Sequence, residues 1–173
     1  MSKHRSSTTH RRKIAIATLA VAAVGVPSAA MASQSAAPAG SPSATSAAAT
    51  DQQEVVDLVN SERSKAGCEP LTVNEKLTKA AQDHSEDMAA HSNMSHTGSD
   101  GSSPGDRIER AGYSWSSYGE NVAYGYDSPK SVMAGWMNSS GHKANILNCD
   151  FKEIGVGLAQ PGNYWTQDFG TAR

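Results

Sequence analysis

The chain is 173 residues long, with a formal net charge of −2 and 18% charged residues. All 17 acidic residues lie from Asp51 onward but only ten of the 15 Lys and Arg do, so residues 51–173 carry a net charge of about −7. No basic stripe exists to neutralise phosphates, which argues against nucleic acid as a partner and against attraction to an anionic membrane surface.

At the start of the chain, Lys3, Arg5, Arg11, Arg12 and Lys13 precede an uncharged apolar run, Ile14 to Val26, and then small residues ending in Ala30-Met31-Ala32. That order predicts a secretory signal peptide over residues 1–32, cleaved after Ala32. The apolar run is about 13 residues, short of the roughly 20 that span a bilayer, so no stable membrane span is expected after cleavage. Arg11-Arg12 leaves twin-arginine export open beside the ordinary Sec route. Residues 33–50 are almost wholly Ser, Ala, Pro, Gly and Thr. Such a stretch has too little apolar bulk to offset its ordering entropy and is expected to be a disordered linker. Residues 51–173 then form a single domain.

Four helices are read within that domain. Thr50 or Asp51 caps the first, with Gln53 or Glu54 completing a capping box. Val55, Leu58, Val59 and Glu62-Arg63 line one stripe, and Gly67 ends the helix. Asn74 caps the second, which puts Leu77, Ala80, Ala81, His84 and Met88 on one face. Ser103-Pro104 opens the third, closed by Gly112, and Ser128-Pro129 opens the fourth with Val132, Met133 and Trp136 turned inward.

Strand signals come late. Residues 154–159 alternate large with small, Pro161-Gly162-Asn163 is a turn cluster, and Tyr164 to Phe169 returns as the partner strand. A third short strand is placed at Asn121 to Tyr124. Helices first and an antiparallel hairpin last argue for α+β. Gly155 and Gly157 leave one sheet face bare, either for a closely packed helix or as the floor of a ligand site. The two cysteines, Cys68 and Cys149, read as one disulfide in an exported chain, with two buried reduced thiols as the alternative.

Several blocks together resemble one family. Val56-Asp57-Leu58-Val59-Asn60 with Arg63, Pro70-Leu71 and Asn74 resembles the opening of a CAP domain. Ser95-His96-Thr97-Gly98, Gly119-Glu120-Asn121-Val122-Ala123, and Trp136 followed by Gly141-His142 are similar to its signature blocks. Ile154-Gly155-Val156-Gly157 and Trp165-Thr166-Gln167 with Phe169-Gly170 are similar to its closing hairpin. This is the superfamily of cysteine-rich secretory proteins, antigen 5 and pathogenesis-related proteins, and the short Trp136–His142 spacing resembles its compact bacterial branch. The resemblance implies an α–β–α sandwich, with a small, mostly antiparallel sheet between helical layers. It also implies a cleft lined by His96, Glu120 and His142, with Ser139 where fuller members carry a second Glu.

Two imidazoles and a carboxylate are a donor set that Zn²⁺ would take, with His96 and His142 as ligands and Glu120 as a third ligand or as an orienting group. Alternatively, Glu120 accepts hydrogen bonds from both histidines in a metal-free network. His84 is read as a core histidine of the second helix, and His91 as exposed. A serine hydrolase built on Ser139 or Ser140 lacks a nucleophile elbow. Three functions remain in view. One is a secreted extracellular binding module for a cell-envelope lipid or glycan. The second is a metal-dependent hydrolase with Glu120 as general base, and the third a scaffold that contacts another extracellular protein.

Overall fold

The computed structural model describes residues 44–173. The expected leader, its cleavage point and residues 33–43 of the expected linker lie outside the described residues.

The first helix, α1 (Ala44–Lys65), begins earlier than its sequence signals. Residues 44–50 belong to this helix and not to a linker, and neither Thr50 nor Asp51 caps it. The Thr50 hydroxyl donates to the Ser46 carbonyl one turn back. Ala47, Ala48 and Ala49 are strong helix formers, and Ala48 packs on the apolar core, so the helix propagates through a stretch that composition reads as linker. Its C-terminus follows the sequence. Gly67 takes a left-handed φ of 80° while its N–H donates to the Ser64 carbonyl and that of Cys68 to the Arg63 carbonyl, a Schellman end.

Strand β1 (Thr72–Val73) leads into α2 (Glu75–His91), capped as expected by the Asn74 side chain, which accepts from Lys76 N and Leu77 N. Helix α3 (Pro104–Arg110) starts with a Ser103–Asp106 capping box, and α4 (Pro129–Met137) with a Ser128–Ser131 one. Strand β2 (Trp115–Ala123) is longer than expected, and a fifth helix, α5 (Ser140–Ile146), has no counterpart in the sequence reading. Strands β3 (Glu153–Ala159) and β4 (Tyr164–Ala172) close the chain.

The sheet order is β1-β3-β4-β2, antiparallel except for the short parallel β1–β3 pair. Strand β2 is therefore an edge. Its Val122 carbonyl accepts from Trp136 Nε1 and its Glu120 carbonyl from Asn145 Nδ2.

Alternation along the strands sorts side chains onto two faces. Ile154, Val156, Leu158, Trp165 and Phe169 build the main core with α1, α4 and α5. The opposite face meets α2 and α3. There a Cβ on Gly155 would overlap the backbone of Leu77 and Thr78, and one on Gly157 the backbone of Ala81. The glycine pair thus lets α2 lie directly on the sheet; it packs a helix and does not floor a ligand site. The arrangement is the expected α–β–α sandwich. A Cys68–Cys149 disulfide, 81 residues apart in sequence, ties the end of α1 to the segment between α5 and β3.

Candidate functional site

Four elements converge at one end of β2. Glu120 alternates onto the α2/α3 face of the strand, and its side chain is 2% exposed. His96, on the loop between α2 and α3, donates from Nδ1 to Glu120 Oε1 at 2.8 Å. The other carboxylate oxygen accepts from Arg107 Nη2 of α3 at 2.5 Å. Hydrogen bonding to Glu120 raises the His96 pKa from its ordinary value. His142, on α5, sits at the same end, where burial and the nearby His96 charge lower its pKa.

The backbone around the site is fastened by amides. Asn121 Nδ2 donates to the His142 carbonyl and to Gln167 Oε1, and Asn145 Nδ2 donates to Asn121 Oδ1. These bonds hold α5, which carries His142, against β2, which carries Glu120. Asp168 lies directly across from Glu120 on β4. It is fully buried, and burial together with the Glu120 charge pushes its pKa well above the usual carboxylate range. Neither of its oxygens meets a hydrogen-bond partner among the described residues.

His84 is a core histidine, as expected, but its place is not neutral to the site. Its Nε2–H donates to the Ser95 carbonyl at 2.8 Å and so anchors the residue before His96. Desolvation lowers its pKa. His91 is exposed and pairs with Asp87.

The structure brings His96 and Glu120 into contact and places His142 beside them. It adds Arg107, Asn121, Asn145, Gln167 and Asp168, which the sequence reading did not assign to the site. Two of these left a trace: Arg107 adjoins buried Ile108 on a short helix, and Asp168 interrupts an otherwise uncharged strand.

The donors left to a metal ion are His96 Nε2 and the His142 ring. Both Glu120 oxygens are engaged, one by a guanidinium, and His96 has only Nε2 left. Among the described residues no three His, Cys, Asp or Glu side chains gather to hold an ion. Two imidazoles fall one ligand short of the usual catalytic zinc set. The same geometry ill suits Glu120 as a general base, because it is buried and saturated; it orients His96 instead.

Next to His142 the cleft opens into a groove of about 290 Å³ lined by Met94, Tyr124, Tyr126, Trp136 and Ser139. Tyr124 stacks on Tyr164 at 5.8 Å. Tyr126 is held by Trp165 Nε1, which donates to its carbonyl at 2.9 Å. Its ring lies so close over Gly135 of α4 that any side chain there would collide with it.

The family model for the cysteine-rich secretory protein family, CAP, matches residues 56–169. The Bacillus subtilis (strain 168) protein YkwD is 42% identical over 127 residues, which cover 73% of this chain and 49% of that protein. The membrane protein YlbC of the same organism is 35% identical over 120 residues, 69% of this chain and 34% of its own length. The chain thus spans half or less of the curated relatives it matches. A Bacillus anthracis extracellular protein containing an SCP domain superposes with a TM-score of 0.71 at 29% identity, covering 76% of this chain and 45% of that one. An outer surface protein of Borrelia burgdorferi shares the fold with a TM-score of 0.68 at 23% identity, over 72% of this chain and 94% of its own.

Proposed function

Since the chain belongs to the CAP family of cysteine-rich secretory proteins, we propose that it is a secreted, non-enzymatic binding domain. Its His96–Glu120–His142 cleft and the adjoining tyrosine groove hold a cell-envelope glycan. The observation that carries this reading is the cluster of large exposed side chains around the groove. Tyr124 is 58% exposed, Met94 44% and Tyr126 36%, and the groove they line ends at His142 and Ser139. A sugar ring has an apolar face that stacks on tyrosine and a hydroxyl edge that bonds to imidazole and hydroxyl groups. An aromatic floor with a few polar groups at one end meets both needs. A lipid tail would call for an enclosed apolar channel, whereas this groove carries the polar side chains of His142 and Ser139 in its wall.

A secreted location is supported by the leader pattern and by the disulfide, which suits an oxidising compartment. The hydrolase reading has less to stand on, because the carboxylates nearest the histidines, Glu120 and Asp168, are both sequestered from solvent.

The test is retention of the purified full chain on isolated cell-wall glycan and, separately, on vesicles of extracted envelope lipid. Binding to the glycan, weakened about tenfold in Tyr124→Ala, is expected; that loss corresponds to about 1.4 kcal/mol. Equal retention of wild type and Tyr124→Ala, or capture by the lipid alone, would overturn the reading.

A further inference from the structure

Met94 stands on the loop between α2 and α3, shortly before His96, and forms part of the groove wall beside Tyr124, Tyr126 and His142. It is 44% exposed. The other methionines among the described residues are not: Met88 and Met133 are 2% and 5% exposed, and Met137 is partly buried against the main core. The loop does not carry Met94 freely. On one side the Asn93 N–H donates to the Met88 carbonyl at 3.0 Å. On the other, His84 Nε2 donates to the Ser95 carbonyl at 2.8 Å and the Thr97 N–H to Ser95 Oγ at 3.0 Å. Fastened on both sides, the backbone keeps the thioether at the groove.

A thioether is a soft, polarisable nucleophile, and no thiol competes with it for an oxidant here. Cys68 and Cys149 are the chain's two cysteines and are joined to each other. Hydrogen peroxide oxidises a thioether by direct oxygen transfer. A sulfur lone pair attacks one peroxide oxygen, and the S–O bond forms as the O–O bond breaks. The hydroxide that leaves takes the proton of the transferred oxygen and becomes water. Sulfur gives up two electrons and the peroxide gains them, so neither a base nor a metal is required. What the reaction does require is access to the sulfur. Met88 and Met133 offer that only in the small fraction of molecules whose core has opened.

We infer that Met94 is an oxidation site, converted to the sulfoxide by hydrogen peroxide ahead of the buried methionines, and that this conversion weakens ligand binding in the tyrosine groove. The first half stands on exposure and sulfur chemistry alone; the second rests on the glycan reading of the groove. The sulfoxide puts a hydrated S=O group on a wall that meets the apolar face of a sugar ring. Docking must then strip water from that group without returning a hydrogen bond of equal quality. Methionine sulfoxide reductases restore the thioether, which makes the change reversible.

The experiment treats the purified full chain with hydrogen peroxide and follows oxygen uptake at each methionine by peptide mapping and mass spectrometry. Met94 is expected to gain one oxygen at least about tenfold faster than Met88 and Met133. Comparable rates at the three positions overturn the inference and leave the groove reading intact. The second measurement is retention on isolated cell-wall glycan before and after Met94 is fully oxidised. Affinity should fall about fivefold and return after treatment with the two methionine sulfoxide reductases. In Met94→Leu, whatever its own affinity, the same peroxide treatment should leave retention where it began. Undiminished retention of the oxidised protein, or an equal loss in Met94→Leu, overturns the inference. If the untreated protein holds no glycan, the groove reading fails and takes the binding half of the inference with it, while the peptide map still decides the oxidation site.

Discussion

Toward α1, α4 and α5 the sheet presents Ile154, Val156, Leu158, Trp165 and Phe169; toward α2 and α3 it presents Gly155, Gly157, Thr166, Asp168 and Glu120. The first face is held by apolar volume. Even its buried charge is structural, since Arg63 is fully enclosed and donates to the carbonyls of Glu69, Ile146, Asn148 and Phe151 at 2.7–3.1 Å. The second face is held by close backbone approach and by small apolar clusters such as Leu77, Ala80, Ile108 and Tyr113, and its ionisable pair, Glu120 and Asp168, is buried. The buried carboxylates thus lie on one side of the sheet, while His142 and the tyrosine groove approach the site from α5 and α4 on the other. The polar side can remain polar because the other supplies the hydrophobic burial that offsets the entropy of folding.

The strongest way to break this comparison is at the glycines. Gly155→Ala puts a methyl group into the α2 backbone, which has no flexible end to yield. The cost is expected to exceed about 4 kcal/mol, a large part of a domain's stability. Circular dichroism and thermal melting should find little folded protein, and a melt within a few degrees of wild type would deny that α2 rests on the bare strand. The next effect belongs to the apolar side. Cys68→Ser opens a loop of 81 residues, worth about 4 to 5 kcal/mol in the chain-entropy model, yet the core beneath it is intact. The variant should fold and melt many degrees lower, at roughly 2 to 8 °C per kcal/mol for domains in this range of sizes. Thiol labelling of native protein that detects two reactive cysteines would contradict the bridge.

A subtler change separates the faces by pH. Asp168 has a raised pKa in the folded state, so its contribution is fully present below the unfolded value near 3.8 and is lost as pH rises through the folded value. Asp168→Asn keeps the shape without the ionisation, so its stability relative to wild type should grow as pH rises from about 4. His84 works with the opposite sign. Its lowered pKa gives stability that is present above about 6.5 and lost on acidification, and this loss should persist in the Asn variant. Denaturant midpoints between pH 4 and 8 that move in parallel for the two proteins would refute the assignment to Asp168. The smallest expected effect is favourable. Gly141 lies within α5 with open space where a Cβ would go, so Gly141→Ala should raise stability by about 0.5–1 kcal/mol.

What could be read in advance follows from how local its cause is. The starts of α2, α3 and α4 were legible because Asn74, Ser103 and Ser128 cap through contacts two or three residues away. Strand β3 announced itself by alternation, and Gly155 by the face it leaves empty. Helix α5 was missed because Ser139 makes no side-chain cap, and β1 because two residues become a strand only by pairing with β3 some 80 positions later. The first half of β2 is rich in serine and glycine, and its strand form is imposed by β4. At the site, His96, Glu120 and His142 were located by resemblance and not by spacing. Arg107 and Asp168 act through contacts that the fold creates, so the local trace each left, a cation beside Ile108 and a lone charge in a strand, did not by itself place them at the site.

The free edge of β2 has one more consequence. An unpaired strand edge is a template on which another chain can add a strand. Here two outward carbonyls are already occupied, Glu120 by the Asn145 amide and Val122 by the Trp136 indole. The residues that brace the cleft therefore also guard the domain against edge-to-edge aggregation.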